Sequence, residues 1–290
     1  ELFKDKIPNH RTWVANWLND AWKACNETED GKSTHVDVII ANPPSFVGPH
    51  LAEKLWCPLI MSFTMPWTPT KEFCSPFVNI DVHESSNYYS YESVDRAIWM
   101  GMKDLINDWR KDVLHIAPIH TIDFSGHLLI HNRNIPFLYG FSETLVPRPS
   151  DWDSHIHIAG FLFMEKSDWK PDEKLQQFLE AGEPPIYVGF GSIVMNDPEE
   201  FTSEILEGIK RAKVRAIVQS GWTKMEGEKV DKGDDQFFFL EKAPHDALFP
   251  LCSVVVHHGG AGTTANGIRA GKPTVIVPFF GDQYFWGKMI

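Results

Sequence analysis

The chain has 290 residues, of which 43% are hydrophobic and 23% are charged, and its formal net charge at pH 7 is −12. This length allows two domains of ordinary size, and this composition is typical of a soluble globular protein. The excess of acidic residues disfavours a nucleic-acid partner, because phosphate backbones bind basic surfaces. The four cysteines lie far apart in the sequence and form no Cys-x-x-Cys pair, which predicts free thiols rather than a zinc or redox site.

The sequence has no long apolar segment of the kind that crosses a membrane. Its longest apolar runs, such as residues 275–280, are far shorter than the ~20 residues that span a bilayer. The first residues are charged and do not resemble a signal peptide. We therefore expect a cytoplasmic protein, with any peripheral membrane contact made by regions outside this chain. The first residue is not Met, so we expect the sequence to be a part of a longer protein.

The first half of the chain alternates helical and strand-like patterns. Apolar residues at helical spacing predict helices, runs of branched apolar residues predict strands, and their alternation predicts parallel βαβ units. Residues 64–90 have no clear period and are rich in aromatic residues, which predicts a long loop. The predicted helices are 11–25, 50–56 and 91–115, and the predicted strands are 36–40, 59–63, 127–131, 136–141 and 156–163.

The second half alternates strand and helix patterns more regularly than the first, and we place a domain boundary after residue 164. Short apolar strands between amphipathic helices are what a doubly wound parallel sheet requires, because helices cover both of its faces. The predicted strands are 186–190, 216–219, 237–240, 253–256 and 274–277, and the predicted helices are 172–181, 198–212, 245–250, 263–270 and 283–290. The sequence therefore predicts an α/β protein with two Rossmann-like domains, residues 1–164 and 165–290.

Glycine-rich or polar segments follow all five predicted strands of the second half. Ligands of doubly wound sheets bind beyond the carboxyl ends of the strands, so these adjacent segments together favour a ligand site. Each segment alone has a plain structural alternative, namely a tight turn, a packing Trp or a helix cap. The segments are 189–192, 220–222, 243–246, 257–264 and 280–283.

Residues 257–264, His-His-Gly-Gly-Ala-Gly-Thr-Thr, indicate an anion site. They lie between a predicted strand and a predicted helix, where glycines allow close approach and the first helical N–H groups point at a ligand. The hydroxyls of Thr263 and Thr264 and the imidazole of His258 complete a pocket suited to a diphosphate. Neighbouring strand residues face opposite sides, so His257 is predicted to face the core. No Gly-Lys-Ser/Thr follows, which excludes a P-loop.

Seven segments carry a resemblance to a known family. They are 63–68, 158–161, 187–192, 244–250, 257–264, 269–274 and 278–283. Over nearly its whole length, and most specifically in its last third, the chain resembles the fungal-type sterol 3-beta-glucosyltransferases. The resemblance implies a GT-B fold, in which two Rossmann-like domains face a cleft. It also implies UDP-glucose as co-substrate, with no metal or other cofactor.

The resemblance also implies roles for particular residues. His258, Gly262 and Thr263 would hold the diphosphate, Asp282 and Gln283 would hold the glucose hydroxyls, and the segment around Ala243 would flank the uracil. Aromatic residues after the second predicted strand would line an apolar groove for a sterol, with packing on their own core as the alternative. The donor-binding candidates are Ser192, Trp222, Ala243, His245, His258, Gly260, Gly262, Thr263, Thr264, Asp282 and Gln283, and the acceptor-binding candidates are Phe63, Met65, Trp67, Phe73 and Phe77.

The chain departs from the family at both ends. The family's first βα unit has a Gly-rich turn with the His expected to act as base, and nothing like it lies upstream of Val36. The family also continues beyond Gln283, so we expect both domains to be incomplete here. His50 is the one weak candidate base within the chain, and a structural role is its alternative.

The predicted function is inverting transfer of glucose from UDP-glucose to the hydroxyl of a sterol or similar lipid. One alternative is a non-catalytic UDP-sugar-binding or interaction module. Another is a glucosyltransferase that acts on a non-sterol acceptor, such as a polyketide or flavonoid.

Overall fold

The computed structural model describes residues 7–27, 35–78, 84–119, 134–191, 193, 197–219 and 235–290. The chain divides into two compact units, Glu1–Gly160 and Phe161–Ile290. The sequence analysis placed its boundary close by, after residue 164. None of the helices in the described ranges has the length and hydropathy needed to span a bilayer.

The first unit has a parallel sheet covered by helices. Its described strands pair in the order β1-β2-β3-β4, each parallel to the next. The helices are α1 (Ile7–Asn26), α2 (Gly48–Leu55) and α3 (Glu84–Asp112), with a 3-10 turn at Pro43–Ser45. The strands are β1 (Ile39–Ala41), β2 (Leu59–Phe63), β3 (Phe137–Tyr139) and β4 (Ile156–Ile158).

Helix α3 begins earlier than the sequence predicts, so the prediction of a loop up to residue 90 is wrong for its last residues. The first turns of α3 are held by polar contacts rather than by an apolar stripe. Asn87 Nδ2 donates to the carbonyl of Lys71 at 2.9 Å, and Ser90 Oγ accepts the N–H of Ser75 at 2.8 Å. Such contacts leave no periodic signal in the sequence. The strand predicted over 127–131 lies outside the described residues.

The second unit has a five-stranded parallel sheet in the order β7-β6-β5-β8-β9. Its helices are α4 (Glu173–Glu180), α5 (Pro198–Ala212), α6 (His245–Leu248), α7 (Ala261–Arg269) and α8 (Gln283–Met289), with a 3-10 turn at Phe249–Leu251. Its strands are β5 (Ile186–Gly189), β6 (Ala216–Gln219), β7 (Phe237–Leu240), β8 (Val255–His257) and β9 (Thr274–Ile276). All five predicted strands of this half are present, two with the predicted bounds and three with ends that differ by one or two residues.

Both faces of this second sheet are buried, as a doubly wound sheet requires. Tyr187 and Ile217 belong to one apolar cluster, and their strand neighbours Val188 and Val218 belong to another. Because successive strand residues point to opposite faces, the two clusters lie on opposite sides of the sheet. The predicted α/β fold with parallel sheets is confirmed.

The order of the strands locates a crevice in the second sheet. The chain runs outward from β5 through β6 to β7, and then returns to place β8 on the other side of β5. Gly189, the last residue of β5, is paired in register with His257, the last residue of β8. A reversal of this kind opens a crevice at the carboxyl ends of the two strands, which is where ligands of such sheets bind. The segments 189–192 and 257–264 therefore start at the same place.

Candidate functional site

The turn after β8 requires glycine at its first position. Gly259 has a φ of +90°, and a Cβ there would lie 2.6 Å from Ile276 Cγ2. The N–H of Gly259 donates to His257 Nδ1 at 2.9 Å, which fixes the turn on a fully buried imidazole. The prediction that His257 faces the core is confirmed, and its contact with Gly259 makes it a support for the turn.

The imidazole of His258 lies between the two glycine segments at the crevice. A Cβ on Gly260 would lie 2.6 Å from His258 Nε2, and a Cβ on Gly191 would lie 3.6 Å from its Cε1. Gly191 also has a φ of +65°. Glycine at these positions therefore leaves room for the His258 ring beside the end of β5.

Helix α7 begins with N–H groups that no described side chain caps, unlike two other helices of the same unit. Asp172 caps α4 by accepting the N–H of Leu175, and Asp197 caps α5 by accepting the N–H of Glu200. Within the described residues, no side chain caps α7 at Gly260. The first N–H groups of a helix need an acceptor, and an anion is the partner that they favour.

Three buried polar atoms of the same turn have no hydrogen-bond partner among the described residues. They are His257 Nε2, His258 Nδ1 and Thr264 Oγ1. A buried polar atom without a partner costs free energy, so such atoms usually mark a place that a ligand or water occupies. Gly262 is exposed, and a Cβ there would have nothing within 4 Å. Donors and open space therefore meet at the first turn of α7.

The imidazoles of this site are held in their neutral form. Burial lowers the pKa of His257 to about 3, and the neighbouring His258 and His245 add to the lowering. Burial also lowers the pKa of His258, while the carboxylate of Asp282 opposes that shift. A neutral imidazole still has one N–H to donate to a phosphate oxygen. A bound diphosphate would act on the pKa of His258 in the same direction as Asp282.

Asp282 acts electrostatically on His258, and both Asp282 and Gln283 have structural hydrogen bonds of their own. Asp282 Oδ2 accepts the indole N–H of Trp286 at 2.8 Å, and burial raises the pKa of Asp282. Gln283 is 4% exposed, and its Oε1 accepts the N–H groups of Phe279 at 2.7 Å and Phe280 at 3.2 Å. Only the amide NH₂ of Gln283 is therefore left for a sugar, and its assignment to glucose stays a prediction.

The remaining donor-side candidates have different settings. His245 begins α6 and stacks on Phe249, with ring centroids 4.5 Å apart. Ala243 packs against the apolar cluster on the Tyr187 face of the sheet. Thr263 lies half-buried in the first turn of α7. Ser192 and Trp222 lie outside the described residues.

Three of the five acceptor-side candidates form a chain of rings in the first unit. Phe63 meets Trp67 edge-on at 5.5 Å, and Trp67 meets Phe77 edge-on at 5.8 Å, measured between ring centroids. Phe77 is 46% exposed, whereas Trp67 is 7% exposed and Met65 is 3% exposed. Phe73 packs apart from them, on Trp152. Trp67 and Met65 are therefore core residues, and Phe77 provides the exposed apolar surface of this group.

His50 lies in a buried hydrogen-bonding network of the first unit. Its Nδ1 is 3.0 Å from Arg110 Nη1, and Arg110 Nη2 also pairs with Glu53 Oε1 at 3.0 Å. His50 is 4% exposed and meets the ring of Trp109 edge-on. This setting supports the structural alternative for His50, and we assign it no catalytic role.

Sequence reasoning missed a buried polar pair beneath the site. Tyr187 Oη donates to Gln219 Oε1 at 2.5 Å, and both residues stand on strands that read as plain core. The one signal was Gly189 two residues after Tyr187, because a glycine in a strand often marks a close approach. A Cβ on Gly189 would overlap the Tyr187 hydroxyl.

Residues 151–288 match the family described as UDP-glucoronosyl and UDP-glucosyl transferase. Among curated proteins, the chain is 43% identical over 289 residues to the sterol 3-beta-glucosyltransferase UGT80A2 of Arabidopsis thaliana, covering 98% of this chain and 44% of that protein. It is 36% identical over 302 residues to the sterol 3-beta-glucosyltransferase of Yarrowia lipolytica, covering 100% of this chain and 20% of that protein. By sequence, the chain is similar to sterol 3-beta-glucosyltransferases over nearly its whole length. The resemblance read from its motifs is confirmed, and the relatives include plant as well as fungal proteins.

The chain spans less than half the length of these curated relatives. Solved structures show the same fold at low identity. The glycotransferase of kitacinnamycin superposes with a TM-score of 0.64 at 17% identity, covering 99% of this chain and 68% of that one. Arabidopsis thaliana UGT89C1, solved with UDP-L-rhamnose, gives a TM-score of 0.57 at 14% identity, covering 99% of this chain and 61% of that one. The fold is of the GT-B type, as the resemblance implied.

Proposed function

We propose that this chain carries the donor site of a UDP-glucose-dependent sterol glucosyltransferase. The observation that supports it most is the turn 257–264 at the strand reversal, where the open N–H groups of α7 meet the unpartnered His258 Nδ1 and Thr264 Oγ1. Donors converging on open space match the oxygens of a diphosphate. The relatives named sterol 3-beta-glucosyltransferase supply the sugar and the acceptor in this proposal.

The reaction we propose is inverting transfer of glucose, in which a sterol hydroxyl gives its proton to a general base and its oxygen bonds to the anomeric carbon as UDP leaves. As the bond from the anomeric carbon to UDP breaks, negative charge grows on the diphosphate, and the α7 N–H groups and His258 stabilise it. We assign Asp282 to the sugar, where its carboxylate would accept the hydrogen of a glucose hydroxyl. These donors replace the cation that many diphosphate sites use, so the proposal includes no metal or other cofactor.

The proposed acceptor surface includes Phe77, with Phe63 and Trp67 as its support. A sterol is a flat apolar molecule, and exposed aromatic rings favour contact with it. Since sterols reside in membranes, the proposal also includes a cytoplasmic protein that meets membranes peripherally.

The test is glucoside formation from UDP-glucose and a sterol in detergent, followed by mass spectrometry. It is run on this chain and on the form expressed from the full reading frame. We expect UDP to raise the melting temperature of both forms through linkage, and the longer form to make sterol glucoside. UDP binding without glucoside in either form would favour the binding-module alternative. The absence of any UDP effect would refute the proposal.

A further inference from the structure

A buried hydroxyl joins two strands beneath the crevice of the second sheet. Tyr187 is 1% exposed, and its Oη lies 2.5 Å from Gln219 Oε1 on β6 and 3.3 Å from His245 Nε2 on α6. Gln219 Nε2 in turn donates to the carbonyl of Glu241 at 3.4 Å. The network thus reaches both ends of the segment 241–245, which follows β7.

The donors and acceptors of this network define its protons. Gln219 Oε1 can only accept, so the single proton of Tyr187 Oη is given to Gln219. His245 Nε2 must then donate to Tyr187 Oη, which places the imidazole proton on Nε2 and leaves Nδ1 as an acceptor. Burial lowers the pKa of His245, and His258 lowers it further, so a neutral ring agrees with this arrangement. Among the described residues, His245 Nδ1 has no hydrogen-bond partner.

The network lies beside the diphosphate turn rather than apart from it. Helix α6, which begins at His245, contacts helix α7, which begins in the diphosphate turn. The Tyr187 hydroxyl also occupies the space that a Cβ on Gly189 would take, at the end of β5 where the crevice opens. The segment 241–245 is therefore next to the point at which the donor nucleotide is proposed to bind.

We propose that Tyr187 and Gln219 are positioning residues that hold the segment 241–245 for the nucleoside half of the UDP-sugar donor. The inference rests on the proposed function, and it deepens it by assigning the support of one subsite. Gln219 holds the carbonyl of Glu241, and Tyr187 holds the ring of His245 with Nδ1 as acceptor. The backbone between Glu241 and His245 and the acceptor Nδ1 of His245 then form a pre-arranged surface for the uridine. This arrangement lowers the entropy cost of ordering the segment when the nucleotide binds.

The test compares two probes, UDP and inorganic pyrophosphate, by calorimetric titration. Tyr187→Phe keeps the ring packing and removes only the hydroxyl. We expect its Kd for UDP to rise about tenfold, the scale of one buried hydrogen-bond network, while its Kd for pyrophosphate stays within about twofold of the wild type. Gln219→Met, which keeps the length of the side chain, should give the same split, and it serves if Tyr187→Phe does not fold.

A matched control removes another buried hydroxyl of the same unit. Thr202 is 1% exposed, and its Oγ1 donates to the carbonyl of Pro198 at 2.5 Å in α5. Thr202→Val should lower stability without changing the Kd of either probe. If Tyr187→Phe and Gln219→Met bind UDP as tightly as the wild type, or lose pyrophosphate and UDP alike, the inference is overturned. If the wild type binds neither probe, the proposed function itself is overturned.

Discussion

A substitution at Gly262 can separate the stability of the fold from the binding of UDP. This glycine lies in the first turn of α7 and is exposed, and a Cβ there would have nothing within 4 Å. Helices favour Ala over Gly by up to about 1 kcal/mol, so Gly262→Ala should leave the free energy of unfolding unchanged or raise it by about 0.4–1 kcal/mol. Among the described residues, none lies close enough to residue 262 to require a glycine there.

UDP binding should respond in the opposite direction. If the diphosphate rests on the open N–H groups of α7, a methyl group on residue 262 holds its oxygens away from them. We expect the Kd for UDP to rise at least tenfold, which corresponds to about 1.4 kcal/mol. Thermal unfolding and calorimetric titration on the same preparation measure the two effects together.

The neighbouring Gly259→Ala is the matched contrast. Its φ of +90° and the 2.6 Å approach of Ile276 Cγ2 to a Cβ make glycine a structural need. We expect it to lose about 2–5 kcal/mol of stability, from the left-handed backbone and from overpacking. If Gly262→Ala binds UDP as tightly as the wild type, the first turn of α7 is not the diphosphate site, and the reasoning from its open N–H groups fails.

Two further predictions concern the histidines and the sugar side of the site. Burial lowers the pKa of His257 from its ordinary value of 6.5 to about 3 in the folded chain. Between these two pH values the unfolded chain binds more protons than the folded chain. The free energy of unfolding should therefore fall as the pH drops below about 6.5. His257→Asn should flatten that slope in denaturant titrations from pH 7.5 to 4.5, and equal slopes would contradict the assigned burial of a neutral ring. Asp282→Asn keeps an acceptor for the indole N–H of Trp286, so the local structure should be preserved. We expect it to weaken the use of UDP-glucose while sparing UDP binding. A large loss of UDP affinity would count against the assignment of Asp282 to the sugar. Gln283→Ala is a poorer probe of sugar binding, because it leaves the N–H groups of Phe279 and Phe280 without their acceptor and should lower stability.

The second unit was predictable because its signals are local. Each strand there is a short apolar run between amphipathic helices, and the glycine and polar segments that follow the strands predicted a ligand site beyond their carboxyl ends. The same pattern separated buried His257 from half-buried His258, since strand neighbours face opposite sides.

What the sequence missed depends on hydrogen bonds that the pattern of residue types does not reveal. Gln283 looked like a sugar-reading amide, but its oxygen is bound to the backbone of Phe279 and Phe280. Tyr187 looked like a core residue, but its hydroxyl meets Gln219, 32 positions along the chain. The Tyr187 contact depends on the pairing of β5 with β6, and the Gln283 contact depends on how the turn 279–283 folds back on its own backbone.

The central claim is that the turn 257–264 binds the diphosphate of a UDP-sugar through the face that carries His258. The most direct measurement is calorimetric titration of UDP into the wild type, His258→Asn and His257→Asn, with NAD as the competing nucleotide. Asn at residue 257 can still accept the N–H of Gly259, so that variant keeps the support of the turn. The account predicts that the wild type prefers UDP to NAD, that His258→Asn loses at least tenfold in UDP affinity, and that His257→Asn stays within about threefold. Equal losses in the two variants, or NAD binding as tight as UDP, would contradict it.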